Sequence, residues 1–188
     1  AVGVKSYFLQ EAMNIIDPDV EFVSGHPMAG REKRGFEYAS KEVFKNANYI
    51  LIEHPANNKE SIVFMEDFVG TLGFKSVKIM SPQAHDEIIS FTSQLPHAIA
   101  VALINSDNEK YDTGKYIGDS YRDLTRIANI NEDLWSELFF RNSENLLNSI
   151  VTFEAQLALI KKALLENDEQ LLKKLFIESS HRREKLEK

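Results

Sequence analysis

The chain has 188 residues, 43% apolar and 27% charged, an ordinary globular composition with room for one large or two small domains. Its net charge of −7 argues against a general nucleic-acid binder, and the lack of cysteine excludes disulfides, thiol catalysis and thiolate zinc sites. There is no run of about 18 consecutive apolar residues. The first residues also lack the basic start and apolar core of a signal peptide, so a cytoplasmic protein with no membrane partner is expected.

Residues 1–19 read as a turn and then a helix, with Val4, Phe8, Met13 and Ile16 roughly on one face and Asp17-Pro18-Asp19 as its end. Residues 20–25 read as a buried strand. It leads into residues 24–35, SGHPMAGREKRG, which combine a His-Pro pair, two glycines ahead of the last one and four charged side chains. Pro27 restricts His26 to an extended backbone. A loop at a strand end that offers one oriented histidine and several cations suits an anionic substrate. Ser40 is a cap for a short helix at 41–46. Residues 49–52 form a second apolar strand, stopped by His54-Pro55. Asn57 or Asn58 caps a helix over 59–72 whose apolar positions are Ile62, Val63, Phe64, Phe68, Val69 and Leu72, and Gly73 closes it. Residues 75–80 form a third strand. Helices alternating with strands give an α/β sheet with helical crossovers.

From Ser81 onward only helices are expected: near 82–93, 96–107, 118–129, 131–141, 142–166 and 168–186. Ser81-Pro82 is a strong start, and Pro96 should break or kink the first pair. Residues 107–114 are polar and read as a loop. In the 142–166 helix, Leu146, Ile150, Phe153, Leu157, Ile160 and Leu164 recur in alternating steps of four and three, the spacing of a coiled-coil-like seam. Two readings stand: the core of a monomeric bundle, or a helix shared with a second subunit. The charged tail from His181 is a solvated helix end. The change of character near residue 80 separates an α/β piece from an all-α piece.

Of the five histidines, His26, His54, His85, His97 and His181, the first is the best candidate for chemistry. The alternative for His26 is a loop histidine bonded to backbone. His85 and Asp86 in the first turn of one helix, with His97 in the next, lack the spacing of a metal site, so no metal is expected. His85 reads equally as a core or capping residue. His97 is either a substrate contact or a buried polar group satisfied by a neighbour. Arg122 and Arg126 are four apart in YRDLTRIA, which suggests a carboxylate clamp; the alternative is a surface ion pair with Asp119 or Asp123. Trp135 reads as core. No glycine-rich dinucleotide fingerprint, P-loop or nucleophile elbow is present.

Taken in order, Gly3-Val4-Lys5, GHPMAGREKRG, MSPQAHDEIIS, SQLPHAIAVAL and YRDLTRIA with a downstream Trp resemble the prephenate dehydrogenase (TyrA) family over nearly the whole chain. The resemblance implies α/β plus all-α architecture: the C-terminal part of a Rossmann-type NAD(P)-binding domain over residues 1–80, its first βαβ unit missing, then an all-helical substrate-binding and dimerisation domain over 81–188. It implies oxidative decarboxylation of prephenate to 4-hydroxyphenylpyruvate with hydride transfer to NAD or NADP. It also implies a homodimer. It makes His26 the catalytic hydrogen-bond acceptor and Arg126 the carboxylate ligand. It gives His97 and Gly30 to the substrate pocket and Glu32, Asp86 and Asp123 to a gate around the arginine. Trp135 lies nearby, and Gly3 and Lys5 are the remnant of a cofactor site. Many members have serine where this chain has Gly3, so a His–Ser pair is not expected. The chain reads as a fragment of a longer enzyme, inactive alone. Two rivals are an arogenate dehydrogenase, acting on the amino analogue, and a non-catalytic dimerisation module of the same fold.

Overall fold

A computed structural model of the protein describes residues 3–30 and 35–186. The chain forms two compact units, 1–146 and 147–188. That cut lies elsewhere than the change of character near residue 80.

The first unit opens with helix α1, Ser6–Met13, which buries Leu9 and Ala12. Its own cap residue, Lys5, offers no side-chain cap. The unpaired donors at its start are met from across the fold instead, because Asp86 accepts from Lys5 N at 2.7 Å and from Ser6 N at 2.8 Å. Strand β1 is Ser24–Pro27, not the 20–25 stretch read from the sequence. Val20 is 59% exposed, whereas Ser24 to Pro27 pair with Ile52 to Tyr49 on strand β2, Asn48–Ile52. His26 therefore stands on a strand, opposite Ile50, rather than in a loop. Pro27 is tolerated because it ends an edge strand, where a missing donor costs little.

The β1–β2 pair is antiparallel, which departs from a sheet built wholly on helical crossovers. The link between them holds two described 3₁₀ turns, Phe36–Tyr38 and Lys41–Val43, and no α-helix among its described residues, whereas a parallel pair is usually joined by a helical crossover. The β2–β3 pair supplies the crossover. Helix α2, Lys59–Thr71, leads to strand β3, Ser76–Met80, which runs parallel to β2. Asn58 caps α2 by accepting from Ser61 N, and Gly73, at φ 86°, turns the chain after it in a conformation that suits glycine. Of the apolar positions read on α2, Ile62 and Val69 are buried, while Val63, Phe64, Phe68 and Leu72 are exposed. The central strand carries the core: Ile50 and Ile52 pack with Leu9 and with Ile89 of helix α3, Pro82–Ile89, while Phe22 and Met80 close the edge. Leu51, fully buried, points to the opposite face by strand alternation.

Ser81 caps α3, with Pro82 at the first helical positions. Pro96 neither ends nor separates two helices. The run Pro82–Asn105 is continuous: a π-helical stretch, Ser90–Gln94, joins α3 to helix α4, Leu95–Asn105. A wider π turn relieves the meeting of the proline ring with the carbonyl four residues back. By length and hydropathy alone this run could cross a membrane. However, buried His85, Asp86 and Gln94 tie it to β1, to α1 and to the Leu138 carbonyl of helix α6, Glu132–Arg141, so it is the central strut of the unit. Asn142 strengthens that tie by donating to the Asp86 carbonyl and to Gln94 Oε1, both at 2.8 Å. Between α4 and α6 lies helix α5, Asp119–Thr125, followed by a 3₁₀ turn, Arg126–Ala128.

Helix α7, Ser143–Leu165, runs on into the second unit, where helix α8, Glu169–Leu186, completes the chain's described part. Asn167, in the left-handed conformation at φ 52°, makes the turn between them, and Asp168 accepts from Leu171 N to cap α8. Along the expected seam, Leu146 is buried and Ile150 and Phe153 are half-buried, but Leu157, Ile160 and Leu164 are exposed.

Asp86 holds the N-terminus of α1, the imidazole of His85 and, through its carbonyl, Asn142. Replacing it with Ala leaves three donors without an acceptor, Lys5 N and His85 Nδ1 buried and Ser6 N part-buried, which should cost about 3 kcal/mol or more. Urea unfolding at pH 7 checks this; a loss under about 1 kcal/mol would mean that water or another group serves those donors.

Candidate active site

One cavity of about 1120 Å³ lies within the first unit. One wall is Gly3 and the β1 edge from His26 to Gly30; the other is Ser93, Gln94, His97, Arg126 and the α6 residues Leu134, Trp135 and Leu138. It exceeds the ~300–1,000 Å³ typical of a small-molecule site, so it has space for a small ring acid beside part of a larger cofactor.

His26 is half-buried on β1. Its Nδ1 lies 2.8 Å from Nε2 of His85, with ring centres 5.0 Å apart. His85 is fully buried, and its Nδ1 lies 2.8 Å from Oδ1 of Asp86. Burial above all, then the neighbouring His85 and Lys5, pushes the His26 pKa down to about 4 against a weaker opposing pull from Asp86. His26 is therefore neutral near pH 7. Burial raises the pKa of Asp86, but hydrogen bonds from His85, Lys5 and Ser6 outweigh that and hold it below the usual carboxylate value. Lys5 is buried too: its Nζ donates to the Gly25 carbonyl at 2.8 Å, and desolvation, partly offset by Asp86, brings its pKa down to about 8.

On the facing wall, His97 Nδ1 donates to the Ser93 carbonyl at 2.8 Å, and its ring stacks on Trp135 with centres 3.7 Å apart. Trp135 is in turn edge-on to Phe139. The tryptophan read as core from the sequence thus helps to line the cavity and backs a polar ring of it. Arg126 opens the 3₁₀ turn after α5 and faces the same cavity. Arg126 N–H still bonds the Arg122 carbonyl one turn back, but only Arg126 lines the cavity and Arg122 is exposed outside it, so the two do not form the expected clamp.

The structure thus brings His26, His97, Arg126, Gly30, Trp135 and Gly3 to one cavity. Three other expected residues lie elsewhere. Asp86 is committed to α1 and His85 rather than to a gate at the arginine. Lys5 is spent on the Gly25 carbonyl, which sets it apart from a cofactor-binding role. Asp123 is exposed on α5 and does not line the cavity. Glu32 lies outside the described residues. At Gly30 an added Cβ would meet nothing within 4 Å, whereas at Gly3 it would come 2.8 Å from Cδ2 of Leu138. A serine at position 3 would need that leucine to move. His54 and His181 stand outside the site: Nδ1 of His54 accepts from Ala56 N in a local turn, and His181 is exposed on α8. The residue undervalued from sequence is His85. Its one signal was an adjacent His-Asp pair on a helix whose neighbouring face, at Ile89, is apolar.

Residues 1–78 match the family model described as the prephenate dehydrogenase nucleotide-binding domain, and residues 81–178 match the prephenate dehydrogenase dimerization domain. The chain belongs to the prephenate dehydrogenase family. Among similar curated proteins, the prephenate dehydrogenase of Bacillus subtilis is 26% identical over 93% of this chain and 48% of its own length. The cyclohexadienyl dehydrogenase of Zymomonas mobilis is 31% identical over 88% of this chain and 58% of its own. The chain spans about half the length of these relatives. Among solved structures, the prephenate dehydrogenase of A. aeolicus in complex with hydroxyphenyl propionate and NAD+ superposes with a TM-score of 0.83 at 32% identity. That match covers 97% of this chain and 64% of the other. The arogenate dehydrogenase of Synechocystis, 23% identical with a TM-score of 0.84, shares the fold over 99% of this chain and 68% of its own. In fold, the chain is an α/β part of a Rossmann-type nucleotide-binding domain followed by a helical domain.

The His26 pKa has a consequence for stability. In the unfolded chain a histidine takes up its proton near 6.5, and in the folded chain His26 does so only near 4. Between those values the unfolded state holds more protons, so acidification destabilises the fold and the contribution is fully present only above about pH 6.5. Chemical unfolding from pH 7 to pH 4 should show this loss, and His26→Asn should flatten that part of the profile. An unchanged slope in the variant would mean that His26 titrates normally.

Proposed function

We propose that this chain carries most of the catalytic residues of an enzyme that oxidatively decarboxylates prephenate to 4-hydroxyphenylpyruvate in tyrosine biosynthesis. The observation that carries the proposal is a neutral histidine and an arginine facing one cavity, in a chain whose two stretches match the two domains of the family. The domain organisation proposed is a nucleotide-binding part over 1–80 and a substrate-binding and dimerising part over 81–188. A cytoplasmic location goes with this reading.

Prephenate carries two carboxylates, so its site needs a cation and its ring hydroxyl needs an acceptor. Arg126 supplies the cation, since a guanidinium takes a carboxylate through two parallel hydrogen bonds. His26 supplies the acceptor. As the C–H bond of the carbinol carbon breaks, positive character grows on that carbon, and a neutral imidazole hydrogen-bonded to the hydroxyl stabilises it. The carboxylate on the opposite ring carbon leaves as carbon dioxide, its bonding electrons complete the aromatic ring, and the hydroxyl stays as the phenol. His97 and Trp135 form a flat wall for the ring, and Gly30 keeps the edge beyond His26 open. Glu32 is proposed as a gate residue of the substrate pocket.

NAD+ or NADP+, when bound, supplies the hydride acceptor. The residues present fit one face of it: the size of the cavity and the open ground at Gly30 leave room beside His26, and Gly3 lines the same wall. The substrate class is a cyclohexadienyl acid, as the name of the Zymomonas relative also has it. Initial rates on prephenate and on arogenate, measured side by side, decide between the two.

In the intact protein, His26→Asn should lower kcat by about 100-fold or more with little change in KM, because the bond to the hydroxyl strengthens as hydride leaves. Arg126→Ala should act mainly on KM, raising it about tenfold or more. Steady-state kinetics with prephenate and NAD+ test both. Unchanged kcat in the first variant or unchanged KM in the second removes the role assigned.

The exposed Leu157, Ile160 and Leu164 continue a seam that is covered at Leu146, and such a stripe on a helix of the family's dimerization domain suits a second copy of the chain. Light scattering at micromolar concentration should give a dimer mass, and Leu157→Glu with Leu164→Glu should shift it toward monomer. A monomer mass for the unaltered chain sinks the homodimer.

A further inference from the structure

We propose that His85 is a positioning residue for His26: backed by Asp86, it fixes which ring nitrogen of His26 carries the hydrogen and leaves the other as the acceptor presented to the cavity. The proposal rests on the reading of His26 as the acceptor for a ring hydroxyl. It goes beyond that reading by naming what sets the acceptor.

The three groups form a chain of hydrogen bonds in which, with both imidazoles neutral, only one arrangement of hydrogens is self-consistent. An ionised carboxylate can only accept. Asp86 Oδ1, 2.8 Å from Nδ1 of His85, therefore requires the hydrogen of His85 on Nδ1. A neutral imidazole has one N–H and one bare nitrogen, so Nε2 of His85 is bare and accepts. Its partner at 2.8 Å is Nδ1 of His26, which must then donate. The hydrogen of His26 is thereby placed on Nδ1, and its Nε2 keeps the lone pair. The opposite arrangement would set the bare Nδ1 of His85 against a buried carboxylate and lose that bond. Position is fixed along with hydrogen: the two imidazoles are held at a 48° tilt, His85 is fully buried, and Asp86 is anchored by two backbone donors of α1.

The charges around His26 agree with this state. Lys5 from the start of α1 opposes a proton on it, while Asp86 alone of the described neighbours favours one and spends its oxygens on His85 and on backbone. Tyr49, beside β1 on β2, stays protonated because burial raises its pKa. His97 has its own Nδ1 on the Ser93 carbonyl. The arrangement also explains the site without a serine at position 3, because a hydroxyl partner is not needed to orient an imidazole already held from behind.

The direct test reads the hydrogen itself. In the chain labelled with ¹⁵N histidine, long-range ¹H–¹⁵N spectra distinguish an imidazole protonated on Nδ1 from one protonated on Nε2, and His26→Asn identifies the His26 signals by their loss. At pH 7 the unaltered protein should show His26 protonated on Nδ1; finding it protonated on Nε2 overturns the proposal outright. His85→Phe keeps a buried ring but removes the acceptor, and should move His26 toward the Nε2-protonated form. His85→Gln keeps an acceptor oxygen near the place of Nε2 and should restore the original form at least in part. If His85→Phe does not fold, the unaltered protein and His85→Gln still decide. A folded His85→Phe with unmoved His26 signals also overturns it.

Kinetics of the intact protein separate this from the reading of the reaction. With prephenate and NAD+, His85→Phe should lose about tenfold or more in kcat with KM little changed, and His85→Gln should recover part of it. The expected hydrogen placement together with a His26→Asn variant of full activity would keep the positioning role and remove His26 from the chemistry. Altered hydrogen placement in His85→Phe with unchanged kcat would remove the positioning role from catalysis.

Discussion

The carboxylate of Asp86 is the constraint on which the first unit turns. It sits on the second turn's edge of α3, yet it completes the N-terminus of α1, whose own cap residue offers nothing. A charge-assisted bond to backbone N–H is among the stronger hydrogen bonds a protein makes, and here two of them converge on one buried group. The same carboxylate faces His85, and the Asp86 carbonyl takes Asn142, so one residue joins the start of the chain, the central helix and the end of α6. The cost of burying a charge is met by full hydrogen bonding rather than by a partner cation, and no buried side-chain N or O among the described residues is left without a partner.

That pin defines how the site is divided. The acceptor side comes from β1 and is rigid, because His26 lies within a paired strand and is bonded to a ring that cannot move without disturbing Asp86. The cation comes from a 3₁₀ turn and the stacked His97–Trp135 pair from two further helices, so the facing wall is assembled from separate elements. A neutral imidazole opposite a permanent cation is a sensible pairing, because the two do not compete for the same anionic group.

Much of this was legible in the sequence wherever the controlling interaction is local. Caps at Ser40, Asn58 and Ser81, the glycine after α2, and the helical spacing of the second half depend on neighbours within a turn or two, and the structure has them where the residues say. His26 was legible because proline beside histidine in a glycine-rich stretch is a local peculiarity. What was not legible depends on partners far along the chain. The strand lies at Ser24–Pro27 and not at 20–25 because its register is set by β2, some twenty-five residues on, and apolar content alone favours Val20 to Val23. Asp86 read as a gate and Lys5 as a cofactor contact because their charge suggested solvent or ligand, whereas both are buried by contacts about 80 and 20 residues away. His85 read as core or cap, and only the meeting of β1 with α3 gives it a histidine to hold.

The π stretch Ser90–Gln94 sets the phase of the long helix. An α-helix advances about 100° per residue, so one surplus residue in a single turn rotates everything beyond it by that amount relative to what lies before. His85 and Asp86 precede the surplus residue; Ser93, Gln94 and His97 lie in it or after it. The long helix is therefore two phases of one rod, the first aimed at β1 and the second at the cavity and α6. A chain shortened by one residue here could restore a regular helix, regain its missing bond everywhere but at Pro96, and still lose the site, because His85 and His97 could no longer serve the same cavity from opposite sides. The irregular turn acts as a phase shifter, trading local regularity for two faces where a plain helix would offer one.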